Sequence, residues 1–82
     1  MTPLINDIEG VKIHLFSRDH LPPHLHIFYS GDEAIVEIRT GKIIEGEIPS
    51  RKLRVVQDWL KEEGVRKWVE EVFYQLNPRL RK

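Results

Sequence analysis

The chain has no cysteine among its 82 residues. That excludes a disulfide framework, a thiolate nucleophile and any zinc site built on thiolates, so a domain this small must be held by its core. It also lacks a net charge, with thirteen Lys plus Arg against thirteen Asp plus Glu, which argues against a uniformly basic nucleic-acid binder. No apolar run approaches the roughly 18 residues of a membrane span. Asp7 and Glu9 fall where a signal peptide would need an apolar stretch. The expectation is a cytoplasmic protein with no membrane contact. Repeats, linkers and low-complexity stretches are missing as well, and the length leaves room for a single domain over residues 1–82.

What is there is ordinary globular composition, 40% hydrophobic and 32% charged, enough for one modest core. The zero net charge hides a segregation. Residues 1–49 carry Lys12, Arg18, Arg39 and Lys42 against Asp7, Glu9, Asp19, Asp32, Glu33, Glu37, Glu45 and Glu47, so the first part is net acidic and the remainder basic by the same amount. All four histidines, His14, His20, His24 and His26, sit in the acidic part.

Alternation of apolar and polar residues marks strands in that part. Val11, Ile13 and Leu15 form the inward set of a first strand, and a break follows over Ser17–Pro23. A second strand runs from about His24 to Tyr29, with Leu25, Ile27 and Tyr29 on one face, and Ser30-Gly31-Asp32-Glu33 supplies hairpin chemistry. Ala34 to Arg39 is a third strand with Ala34, Val36 and Ile38 inward, and the turn Thr40-Gly41-Lys42 leads into a fourth over Ile43–Ile48. After Pro49 the period changes to 3.6, with Ser50 as the expected N-cap and Leu53, Val56 and Leu60 as one stripe. Gly64 suits a left-handed helix-closing position. Val65, Trp68, Val69, Val72, Phe73 and Leu76 then repeat as a second helix, which Asn77-Pro78 stops, leaving a basic tail over 77–82 in which Arg79, Leu80, Arg81 and Lys82 are expected to fray. The fold class is therefore α+β: a four-stranded antiparallel meander over about 11–48, followed by two helices over about 50–76 packed on one face.

Strand parity shows which side chains share the other face. Pairing the first two strands about residue 20 sets His14 opposite His26. A two-residue loop at Gly31-Asp32 sets His26 opposite Glu37, and a three-residue loop at Thr40–Lys42 continues the row to Glu45 while turning Ile44 and Ile48 inward. The outer row is thus His14, His26, Glu37 and Glu45, with His24 beside it. Imidazoles and carboxylates so placed suit proton transfer or a divalent metal, and they equally suit plain solvated or hydrogen-bonded positions. Phe16 and Phe28 add aromatic surface that, with Arg18, can stack RNA bases or meet a partner protein. Within His20-Leu21-Pro22-Pro23-His24 the consecutive prolines restrict the backbone, so the loop holds Arg18, His20 and His24 with little entropy to lose.

The stretch Arg18-Asp19-His20-Leu21-Pro22-Pro23-His24-Leu25-His26, followed by Tyr29, Gly31, Thr40-Gly41, Gly46, Pro49 and Trp59, resembles the small prokaryotic family catalogued as domain of unknown function 4160, DUF4160. That family carries a His-x-Pro-Pro-His-aromatic-His segment, a Thr-Gly turn and a Gly-x-Leu-Pro strand end. The resemblance spans about residues 8–60. Leu25 stands where the family has Phe, Ile48 where it has Leu and Asp58 where it has Glu, and His14 lies outside the motif. Members tend to be encoded beside another small domain, so the resemblance implies a toxin–antitoxin-like module or a regulatory pair.

Three functional classes follow. In a binding module, the face with His24, His26 and Phe28 meets a small partner protein from a neighbouring gene, Tyr29 is a further binding candidate, and Arg51, Lys52 and Arg54 supply charge complementarity. In an RNA-directed, nuclease-like enzyme, His20, His24 or His26 acts as general acid or base, Glu37 orients an imidazole, and Arg18 or Arg51 holds phosphate. In a purely structural domain the charges form a solvated face. No cofactor is expected, the alternative being a divalent metal at the histidine cluster.

Overall fold

In a computed structural model, described over residues 4–17 and 19–81, the chain forms five antiparallel strands in sequential order: β1 (Leu4–Ile8), β2 (Val11–His14), β3 (His24–Tyr29), β4 (Asp32–Glu37) and β5 (Ile43–Gly46). Two helices, α1 (Ser50–Leu60) and α2 (Val65–Leu76), and a short 3-10 turn over Pro78–Leu80 follow. The α+β meander with C-terminal helices is as the patterning implies. One strand more is present than expected. β1 pairs with β2 through the turn Glu9-Gly10, where φ is 49° and 84°, the doubly left-handed geometry of a tight type I′ hairpin.

Val11, Ile13, Leu15, Leu25, Ile27, Ala34, Val36 and Ile38 are buried on one face of the sheet. Val56, Trp59 and Leu60 of α1 and Val69 and Phe73 of α2 pack with them as one core. The inward sets thus agree with the parity argument, and Trp59 joins a helical stripe that Leu53 only partly enters. Trp68, although in phase with its helix, is 49% exposed. Ser50 is not the N-cap: it is already helical, and Pro49 precedes it, its carbonyl accepting the N–H groups of Lys52 and Leu53. Gly64 takes the left-handed conformation expected of it.

The β3–β4 hairpin turns on Ser30-Gly31 rather than Gly31-Asp32, because Tyr29 pairs with Asp32. This moves the register by two residues and so leaves every side chain on its expected face. The partners along the outer row change, however. His14 does lie opposite His26, but His26 lies opposite Ile35, and Glu37 lies opposite His24. The β4–β5 pairing slips between Ile35 and Val36, with Ile35 opposite Glu45 and Val36 opposite Ile43. Ile44 is the extra residue of this bulge and is 49% exposed instead of inward, while Ile48 is buried. The observed row therefore runs His14, His26, Ile35, Glu45.

The basic tail is tied down rather than frayed. Arg79 donates to the Asp19 carbonyl, and Arg81 donates to Glu71 and lies over the Tyr74 ring. Lys82 and Arg18 lie outside the described residues. No helix among the described residues is long and apolar enough to cross a membrane.

Candidate functional site

The site is built from the start of β3 and the loop before it. His24 and His26 alternate along the strand, so their imidazoles fall on the same face. The loop carrying Pro22-Pro23 brings Asp19 back over them. Asp19 Oδ2 lies 2.7 Å from His24 Nε2 and 3.1 Å from His26 Nε2. One carboxylate oxygen thus faces two imidazole nitrogens.

Each ring also has an acceptor on its far side. His24 Nδ1 is 2.7 Å from the Pro22 carbonyl, which can only accept, so this nitrogen carries the proton. His26 Nδ1 is 3.7 Å from Glu33 Oε2. The rings are held by aromatic neighbours: Phe16 stacks on His26 with centroids 3.9 Å apart, and Phe73 of α2 lies 5.6 Å from His24. His24 is only 1% exposed and His26 9%.

Asp19 is clamped from its backbone. Its N–H donates to Asn77 Oδ1 at 2.6 Å, and Arg79 donates to its carbonyl. Asn77 is fully buried and donates in turn to the carbonyls of Phe16 and Phe73. Burial alone would push the Asp19 carboxyl up. The hydrogen bond from His26, the charge that the His24 ring carries when protonated and the N–H of His20 outweigh it and hold the carboxyl below its ordinary value.

Asp19, His24 and His26 together form a histidine–acidic cluster capable in principle of coordinating a metal ion, their donor atoms all lying within 4.8 Å of one another. His20 stands at its margin. Its ring is 5.1 Å from that of His24, its Nδ1 meets the Leu21 carbonyl, and its side chain is 82% exposed. His14 is not part of the cluster; it lies edge-on to Phe28 with centroids 5.2 Å apart. Glu37 accepts a hydrogen bond from the Thr40 hydroxyl at 2.6 Å, in the turn after β4.

The remaining expected binding residues are scattered. Phe28 is half-buried beside His14, while Tyr29 belongs to the inner set and packs against the core. Lys52 lies over the Tyr29 ring at 4.9 Å and donates to the Glu9 carbonyl, fastening α1 to the first hairpin. Arg51 and Arg54 are exposed on α1. Arg18 falls outside the described residues.

Sequence reasoning missed Asp19, Asn77 and Arg79. Asp19 had a signal, being an acidic residue separated by a rigid Pro-Pro loop from two same-face histidines. Asn77 had the usual helix-stop reading next to Pro78, and its second role depends on a contact 58 residues away.

The family of domain of unknown function, DUF4160, matches residues 10–76. The match continues through α2, beyond the residue-60 limit drawn from the motifs alone. No curated protein and no solved structure matches the chain.

Proposed function

Since the chain belongs to the DUF4160 family, we propose that it is a small regulatory binding module, one half of a toxin–antitoxin-like pair with a small protein encoded beside it. The observation that carries this reading is the loop over Asp19–Pro23. Its base is clamped by Asn77, by Arg79 and by the two buried imidazoles on Asp19, while its tip presents His20, with a side chain 82% exposed, and Leu21, 46% exposed. A loop held rigid beneath and apolar at its tip loses little entropy on docking, which favours recognition of a partner. Arg51 and Arg54 on α1 offer positive charge that steers an acidic partner.

The burial of His24 and His26 speaks for binding over nuclease-like chemistry. A general base must come within about 3 Å of the proton it takes, and His24, 1% exposed beneath Asp19, has no such access in this conformation.

Co-expression with the neighbouring gene product tests the reading. The two proteins should co-purify, and the double variant His20→Ala/Leu21→Ala should lose the partner while keeping its far-ultraviolet circular dichroism. Growth arrest on expression of one member, relieved by the other, should accompany binding. Absence of both co-purification and growth arrest defeats the proposal.

A further inference from the structure

The contact between Asp19 and His24 is close without being a hydrogen bond. With its Nδ1 proton committed to the Pro22 carbonyl, a neutral His24 has a lone pair on Nε2. That nitrogen lies 2.7 Å from a carboxylate oxygen. Two electron-rich atoms at this separation repel unless a cation compensates. A proton would do so along the line between them, yet His24 Nε2, although 2.7 Å from Asp19 Oδ2, is buried without a hydrogen-bond partner. A cation placed off that line, touching both atoms and also His26 Nε2, satisfies all three donors.

We propose that Asp19 Oδ2, His24 Nε2 and His26 Nε2 are the protein ligands of a divalent transition-metal ion of the Zn²⁺ class. The donors are two imidazoles and one carboxylate, the set preferred by Zn²⁺ and its neighbours over Mg²⁺ or Ca²⁺. At metal–ligand distances of about 2.0–2.1 Å, adjacent donors in a tetrahedral shell stand about 3.3 Å apart. The Asp19 oxygen is 2.7 and 3.1 Å from its two nitrogens, so small side-chain adjustments reach that geometry.

The outer partners agree. Metal-bound histidines donate their second N–H to a carbonyl or a carboxylate, which fixes the ring and the tautomer. Here the Pro22 carbonyl serves His24 and Glu33 faces His26, so both rings turn the same nitrogen, Nε2, toward Asp19. His26 Nδ1 is likewise buried without a hydrogen-bond partner, 3.7 Å from Glu33, and metal binding at Nε2 leaves its proton for that carboxylate. This proposal does not depend on the partner-binding reading, since none of the three ligands belongs to the exposed loop tip.

The test is titration of chelator-treated protein with Zn²⁺ by calorimetry and with Co²⁺ by visible absorption. The expected result is one ion per chain at a micromolar or lower Kd, a Co²⁺ band that Zn²⁺ abolishes, and a rise in Tm with Zn²⁺ that a chelator reverses. Asp19→Asn and His26→Gln should each weaken Zn²⁺ at least tenfold, with circular dichroism reporting the fold. The proposal is overturned by folded wild-type protein that takes up neither ion, or by binding that both variants leave unchanged. The wild-type titrations and the reversible Tm shift do not require either variant to fold. A protein that binds Zn²⁺ but no partner supports this site and defeats only the docking proposal.

Discussion

Asp19 concentrates the chemistry of the loop in one side chain. Burial works against its charge, and the imidazoles of His26 and His24 and the N–H of His20 more than offset that cost. Its carboxyl is therefore more acidic folded than unfolded. The linkage has a definite sign: this contribution is fully present above the unfolded value, near 3.8, and is lost as pH falls through the lower folded value. In metal-free protein, urea midpoints measured from pH 6 down to pH 2 should decline through this window. Asp19→Asn, which has no carboxyl to titrate, should show a shallower decline at the acid end. Identical slopes in the two proteins would mean that other carboxylates govern acid unfolding.

At the level of elements, the β4–β5 pairing depends on Gly46. Its φ is 83°, and a Cβ added there would meet the Glu33 carbonyl oxygen well inside van der Waals contact, with the Ala34 Cα 3.0 Å away. Both obstacles are backbone, which cannot swing aside. Gly46→Ala should therefore cost about 2 kcal/mol or more, combining left-handed strain with displacement of β5. Chemical denaturation reads this directly, and a change within about 0.5 kcal/mol would show that β5 re-pairs without loss.

These same elements show what patterning reveals and what it hides. β3, β4 and α2 are legible because their apolar residues repeat without interruption, and parity placed His14 opposite His26 as found. β1 was hidden because Asn6 and Asp7 break the alternation that Leu4, Ile5 and Ile8 begin. Ile44 turns outward because it is the extra residue of a bulge within the β4–β5 pairing, which regular strand parity does not reveal. The histidines of the site were legible as residue types on one face. Their carboxylate was not, since Asp19 reaches them through a loop whose path has no periodicity to read.

For the whole molecule, the segment after α2 acts as a brace. Asn77, fully buried, ties the Asp19 N–H, the Phe16 carbonyl and the end of α2 into one knot, and Arg79 holds the Asp19 carbonyl. Ending the chain after Leu76 should leave the sheet and helices in place but release the loop. Hydrogen exchange should then accelerate at the amides of Asp19 and His20 by an order of magnitude or more, while amides in β3 and β4 stay protected. Uniform loss of protection would make the segment part of the core rather than a brace.

The separation of 58 positions between Asp19 and Asn77 also sets an order of events during synthesis. At about 5–20 residues per second, translation needs roughly 3–12 s to add the brace after Asp19 has been joined. Throughout that interval the nascent chain carries its histidine segment without the contacts that hold it. A ribosome-bound fragment therefore lacks the braced loop, and the partner proposed above would meet a finished one only after Asn77 and Arg79 have been added.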